Sequence, residues 1–543
     1  MYNVSNLSTT EDLVSTSVLV IGGSLVGLSA AMFLGLQGVP TVVVEAHVGS
    51  HRHPRAIGYT ARTMELFRSA GIAAHIPEAP RNFRLRRCKV ESLAGKWLEA
   101  SDWTPTKPDA AQASAASETQ EYSPHTGAAI AQDRLEPILR ERAAALGADL
   151  RLGTELLRFE QDPHGVTAWV REKASGREYR IRAAYLIAAD GSKSEVRQAL
   201  GIGRSGPGHL QTMRSVLFRA PLEQYLEKGI SQFEIEQADL RAFLTTYGDG
   251  RWVLMFMDDL ERDPAALLAA IQQAIGRSDL PIEVLTTGRW ELSALIADRF
   301  AVGRVFLAGD AAHTLPPTRG GFGANTGIQD AHNLAWKLAS VLSGASTASL
   351  LDSYDAERRP VAWARLEQTF ARPDYARYGA EFARGLPIID DSAMEFGQLY
   401  RSAAILGAGA ELPAAARPDE WAGQPGTRAP HLWLSQDDDN AAAPSSTLDW
   451  FGGGWVLVAL GRRFADATAP LALELGVDLA SILVEGAANR AAVQEAFGLG
   501  PGGASLVRPD GFIAWRSPEL VDEPESALRE ALIRASSANT QAS

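Results

Sequence analysis

The densest chemistry in the chain lies between Gly303 and Leu338, GRVFLAGDAAHTLPPTRGGFGANTGIQDAHNLAWKL. Val305 to Ala308 is an apolar run of strand length, and Gly309-Asp310 ends it. The pattern predicts a buried strand that carries the Asp310 carboxylate to its C-terminal tip, where open α/β sheets bind ligands. A loop with Pro316, Pro317, Gly320, Gly321 and Gly323 follows, and then Ile328, Ala331, Leu334, Ala335 and Leu338 recur at helical spacing. Such a helix start presents unpaired N–H groups and the positive end of the helix dipole. An anion can be held there, over Gly320 to Asn325, without any charged side chain. A strand and helix joined by a permissive turn would look the same.

Two further stretches weigh against that plain alternative. Ser17 to Ile21 reads as a strand, Gly22-Gly23-Ser24-Leu25-Val26-Gly27 follows, a helix runs through Leu36, and Thr41 to Val44 is a second strand ending in Glu45. This is a βαβ unit with a dinucleotide fingerprint. Gly22 permits the tight turn, and Gly27 lets helix and strand pack closely. Glu45 lies 18 positions past Gly27, where an acid can bind ribose hydroxyls. Ser24 stands in place of the second glycine. Tyr185 to Ala189 is another apolar run, ending in Asp190-Gly191 with Ser192 or Ser194 to cap a helix. Two strand-to-Asp turns beside one fingerprint are hard to assign to chance. They suit a flavin, whose pyrimidine ring gains negative charge on reduction and whose ribityl hydroxyls can donate to Asp310.

Other polar residues admit two readings each. Arg55 in His53-Pro54-Arg55 is a ligand for a diphosphate or an isoalloxazine edge, or a solvated surface arginine. Gln132 or Asp133 caps a helix, or Gln132 faces a cofactor. Arg372, Tyr375, Arg377 and Tyr378 are pocket-wall candidates and equally surface residues. His51 and His53 lack the acidic or cysteine partners that would complete a metal site.

The elements that must position these residues are those of a large globular enzyme. The 543 residues suffice for three or four domains, and 46% are apolar. A net charge of −13 argues against a nucleic-acid surface. Cys88 is the only cysteine, so dithiol and intrachain disulfide chemistry are excluded and redox work needs a cofactor. The polar N-terminus lacks the pattern of a signal peptide, and no apolar run reaches a membrane span, so a cytoplasmic protein is expected. Residues 105–123 read as a mobile loop. From 201 to 291, strand-like runs at 213–219, 232–235, 242–247, 252–257 and 284–290 suggest an antiparallel sheet. One face of it could roof an aromatic ligand or serve only as core. After a Pro/Ala/Gly-rich linker at 407–429, runs at 455–460, 482–485, 504–508 and 512–515 form a small α/β unit expected to serve packing or dimer contact.

Taken in order, GGSLVG with Glu45, PRAIG and RTMEL, ADGSKSEVR, and RVFLAGDAAH through PP, GG and GIQDAHNLAWKLA resemble the class A flavoprotein aromatic hydroxylases, the group with the p-hydroxybenzoate hydroxylase fold. SLVRPDGFIAWR resembles the C-terminal domain of phenol hydroxylases and of polyketide-tailoring members, the anthracycline hydroxylases above all. The resemblance implies an α/β chain: a Rossmann-like FAD-binding domain (1–80, 106–200 and, with a helical region, 291–406), an inserted antiparallel-sheet substrate domain (81–105 and 201–290), the linker 407–429, and a thioredoxin-like domain without cysteines (430–543). It implies FAD held by Gly22, Ser24, Leu25, Val26, Gly27, Glu45, Arg55, Gln132, Asp190, Asp310, Pro317, Gly321, Gly323, Ala324 and Asn325. NADPH would be the reductant and dioxygen the oxidant. Hydroxylation of a polycyclic, polyketide-type aromatic through a flavin C4a-hydroperoxide is the expectation, in a monomer or homodimer. A small-phenol hydroxylase, a Baeyer–Villiger monooxygenase, an FAD-dependent dehydrogenase or reductase, and a flavin-binding protein without turnover stay open. Arg319 reads as an extra residue in the loop after Pro317.

Overall fold

The computed structural model describes residues 13–50, 53–81, 86–102, 121–317, 321–372, 375, 378, 382–434, 445–484 and 487–539. His51, Arg319, Gly320, Arg377 and most of the expected mobile loop at 105–123 lie outside them.

The strand Leu13–Ile21 is the axis of the first sheet. Thr41–Glu45 pairs parallel on one side and Glu178–Ala188 parallel on the other. Asp149–Leu152 extends the sheet beyond the former, and Val305–Leu307 beyond the latter. Val18, Leu19, Val20, Ile187 and Leu307 are fully buried. These strand ends are buried throughout, so they are apolar runs and do not alternate. The chain leaves Leu13–Ile21 first to one side and later to the other, which makes its C-terminal tip a topological switch point. Gly22, Asp190 and Gly309-Asp310 follow the three adjacent strand ends there.

Helices α1 (Leu25–Leu36), α2 (Ala61–Ser69), α3 (Gln132–Ala145), α4 (Glu195–Ala199), α5 (Pro264–Ile275), α6 (Phe322–Leu342) and α7 (Asp352–Ala371) carry most of the remaining site residues. α1 packs on both α3 and α6. A Cβ at Gly27 would stand 1.8 Å from the Gly22 carbonyl oxygen, and one at Gly327 would stand 2.5 Å from Val26 Cγ2 and 2.9 Å from Gly309 Cα. The fingerprint, the strand tip and α6 therefore meet with no room for side chains between them.

The strand expectations need two corrections, and the expected helix cap needs one. The run beginning at Tyr185 is the second half of a longer strand, Glu178–Ala188, whose outer neighbour changes midway from antiparallel Gly165–Glu172 to parallel Val305–Leu307. Thr154–Asp162, unexpected from sequence, pairs with Gly165–Glu172. It is largely exposed and so lacks apolar alternation. Gln132 is the first residue of α3, whose Ncap, Ala131, makes no side-chain cap.

The second sheet runs in the order His313–Thr314, Glu283–Ala297, Arg204–Arg219, Arg251–Phe256, Arg241–Thr246, Gln232–Glu236, Arg86–Val90, Trp97–Asp102. Its two longest members exceed the expected runs because bulges near Ser205/Gly208 and His209/Gln211 keep them paired. On one face Phe218, Leu244, Trp252, Leu254 and Phe256 pack with Ile271 and Ile275 of α5 as a second core. The period of two sends Met213, Ser215, Phe243, Met255 and Trp290 to the opposite face.

In the C-terminal unit, Leu479–Leu483 lies parallel to Trp455–Ala459, followed by antiparallel Ala504–Val507 and Ile513–Ser517. This is the thioredoxin-like arrangement, with a core on each face. The segment expected as a linker is packed: Trp421 and Ala429 are buried, and Arg428 pairs with Glu65 of α2 at 2.5 Å.

Candidate active site

The first half of the site is backbone. Gly22 adopts φ +101°, a left-handed conformation costly for any other residue, and a Cβ there would strike the Ala189 carbonyl oxygen at 2.3 Å. α1 then begins with Ser24 as Ncap, yet no side chain caps it. The N–H groups of Leu25, Val26 and Gly27 are first-turn donors facing the switch point. Ser24 Oγ donates instead to Glu136 Oε1 (2.6 Å) and accepts from Gln132 Nε2 (3.0 Å). Glu45 Oε2 accepts from Gly23 N at 2.6 Å, and Oε1 from His47 N at 2.8 Å. The acid thus shapes the turn while lying at the end of its strand.

α6 repeats the device. Its Ncap, Gly321, sits at φ +55° without a side-chain cap. Gly323 has open space around its Cα, and Ala324 is half-buried. Asn325 is different. Its buried amide donates to the Gly321 and Gly58 carbonyls (2.8 and 3.2 Å) and accepts from Thr60 N and Thr63 Oγ1 (3.0 and 2.6 Å). Asn325 therefore fastens the loop after Arg55 to the start of α6. Pro317 offers its carbonyl to the Tyr375 hydroxyl.

The acids sit at neighbouring strand tips. Asp190 Oδ2 accepts from Val196 N at 3.2 Å, while Oδ1 is buried with no hydrogen-bond partner. Burial holds its carboxyl above the usual aspartate range, against the pull of Ser194 and the α4 amides. Burial likewise raises Asp310, with His313 and Arg55 opposing. Desolvated carboxyls short of donors are completed by hydroxyls of a bound molecule. Two uncapped helix starts, a glycine cradle and an unsatisfied carboxylate oxygen match the diphosphate, ribityl and pyrimidine parts of FAD.

Arg55 joins this cradle to the second sheet. Its backbone N–H donates to Gln132 Oε1 at 3.2 Å, and its guanidinium lies 5.8 Å from the Trp290 ring centroid. Tyr247 donates to the Pro54 carbonyl at 2.7 Å. His53 is buried, with Nε2 2.9 Å from Ser215 Oγ and its ring edge-on to Trp290. It stands against side chains of the second sheet. Met213, Phe243, Met255 and Trp290 are half-buried on this face, and Trp290 meets the cradle at Arg55.

Of the pocket-wall candidates, Arg372 is buried and spends its head on Asp391 Oδ1 (2.6 Å) and the Ile389 carbonyl (3.3 Å). Tyr378 donates to Gln211 on the second sheet. Sequence reasoning missed Asp330, a fully buried residue of α6 that accepts from Gly309 N, His313 Nε2 and Arg358 Nε (3.2, 2.7 and 2.8 Å). The only signal was an acid on the apolar side of the α6 stripe.

The chain matches the FAD binding domain family over residues 15–369 and the aromatic-ring hydroxylase C-terminal family over 422–538. It is 39% identical to a 4-methyl-5-nitrocatechol 5-monooxygenase of a Burkholderia species, covering 97% of this chain and 98% of the relative. Identity to the tetracenomycin B2 monooxygenase-dioxygenase of Streptomyces olivaceus is 40%, covering 96% and 99%. Among solved structures, aklavinone-11 hydroxylase in a ternary complex with FAD and aklavinone superposes with a TM-score of 0.84 at 35% identity, covering 96% and 99%. With cradle, sheet and C-terminal unit matched nearly end to end, the chain belongs to the FAD-dependent aromatic-ring hydroxylases, a family of monooxygenases.

Proposed function

We propose that the protein hydroxylates an electron-rich polycyclic aromatic of the polyketide type, using NADPH and dioxygen. The balance is arene C–H plus O2, NADPH and a proton, giving phenol, water and NADP+. The carrying observation is the half-buried apolar face of Met213, Phe243, Met255 and Trp290, which meets the cofactor cradle where Arg55 lies over Trp290. Full-length relatives that act on tetracenomycin and aklavinone support it.

When bound, FAD supplies hydride acceptance and oxygen activation. The chain's own part is binding, orientation and exclusion of water. The α1 amides hold the diphosphate, while Asp190 and Asp310 accept from cofactor hydroxyls. The α6 start stabilises negative charge on the pyrimidine edge. The second sheet keeps the arene against the cofactor and keeps water out.

A small phenol is the second reading, because the nitrocatechol monooxygenase is as similar as the tetracenomycin enzyme. Measuring NADPH oxidation with tetracyclic and monocyclic phenols, and tracing labelled oxygen into product, separates the two. Faster coupled turnover of nitrocatechols would select the second reading. NADPH oxidation with no label in any product would reject both.

A further inference from the structure

We propose that the C-terminal unit positions the cofactor loop Gly309-Asp310, acting through Tyr400, Arg358 and Asp330, and that Asp330 and Arg358 are positioning residues for FAD. The inference rests on the reading of Asp310 as a cofactor ligand. Asp330 Oδ2 takes the Gly309 N–H and His313 Nε2, flanking Asp310 in sequence, and Oδ1 takes Arg358 Nε of α7. Arg358 spends its other nitrogens on the Tyr400 hydroxyl (2.7 Å) and the Thr326 carbonyl (3.2 Å). The Tyr400 ring stacks on Phe512 of the C-terminal unit, with centroids 4.0 Å apart and planes 10° from parallel. Asp330, Arg358 and Tyr400 are buried, so water cannot replace a lost partner.

The residue before Arg358 faces the other way along the same chain of contacts. Glu357 accepts from Arg508 of the C-terminal unit at 2.6 and 2.9 Å and from Lys337 at 2.8 Å. One turn of α7 therefore grips the C-terminal unit with Glu357 and the cofactor loop with Arg358. A shift of the C-terminal unit is transmitted to Asp330 by contacts that are already filled.

A weld between domains would change thermal stability alone, whereas a positioning chain changes how FAD is held. The test uses the full chain, stripped of FAD and reloaded, as wild type, Asp330→Asn, Tyr400→Phe and the double variant. Dissociation constant, midpoint potential of the bound flavin and Tm are read for each. Asp330→Asn is expected to raise the FAD Kd about tenfold and to move the potential. Tyr400→Phe keeps the stack on Phe512 but removes the oxygen that Arg358 uses, and is expected to raise Kd about threefold. The double variant should bind no worse than Asp330→Asn, because both act through one carboxylate. Wild-type Kd and potential in Asp330→Asn, or effects that multiply in the double variant, overturn the proposal. Should Asp330→Asn fail to fold, Tyr400→Phe decides: a lowered Tm with unchanged Kd and potential overturns it. A wild-type chain that takes up no FAD defeats the flavin reading itself, and this inference with it.

Discussion

At the scale of single residues the site is a set of carboxyls held in unusual states. Asp310 stands half-buried at a strand tip, raised by desolvation and balanced by His313 and Arg55. On the proposed reading of Asp310 as a cofactor ligand, Asp310→Ala should remove a hydroxyl acceptor and lower FAD affinity about 10- to 100-fold. Titrating the stripped variant with FAD checks this, and a yellow, fully loaded preparation would refute it. Glu395 is a second case. Burial, with Glu65 adding, pushes its carboxyl up to about 7 from 4.5, against the Arg62 N–H bond at 3.0 Å. Between those values the folded chain keeps a proton that the unfolded chain has released. The stabilisation is thus complete below pH 4.5 and lost as pH rises through 7. Glu395→Gln keeps the neutral form throughout. It should gain about 1–3 kcal/mol on wild type between pH 5 and 8, and a difference in Tm that stays flat with pH would count against the assignment.

At the scale of elements, two helices point uncapped N-termini at the cofactor crevice, and their effect on redox chemistry follows from the dipole. The α6 start, with Gly321 as an Ncap that offers no side-chain acceptor, leaves its field directed at the pyrimidine side of a bound flavin. Stabilising the reduced, anionic ring by about 1–2 kcal/mol raises a two-electron potential by about 20–40 mV. A midpoint potential equal to that of free FAD would contradict this account. These elements were legible in the sequence because each is local: an apolar run, then glycine and acid, then helical spacing, all within one short stretch around Gly22, Asp190 or Asp310. What was illegible depends on distant partners. Asp330 meets Gly309 and Arg358 from 21 and 28 positions away, and nothing in its neighbours marks it as their acceptor. Asn325 looked like part of an anion site, yet its amide is spent on a loop some 265 positions earlier. Thr154–Asp162 escaped notice because it is largely exposed and a bulge between Leu156 and Arg158 breaks its period of two.

At the scale of the whole molecule, the C-terminal unit is fastened by charges taken wholly out of water. Glu357 binds Arg508, Lys337 and Ser402, while Arg508 also pairs with Asp510 at 2.5 Å. None of the four ionic side chains of this cluster is more than 1% exposed. Burial opposes charging in each: the cations outweigh it for Glu357 and Asp510, which are held below the usual carboxylate range, whereas burial prevails at Lys337 and brings it down to about 8. The segment that composition marks as a linker belongs to the same seam, since Arg428 reaches back to Glu65 of α2. A buried pair adds little net stability over apolar residues, but breaking one side strands the other charge. Arg508→Met should therefore cost about 3–5 kcal/mol, because Glu357 and Asp510 lose their guanidinium together. Arg529→Met, which breaks the exposed, solvent-screened pair with Glu474, should leave Tm close to that of wild type. Thermal unfolding of both variants beside wild type makes the comparison. Equal losses would mean that the seam is wet, and that the C-terminal unit is held by its apolar contacts alone.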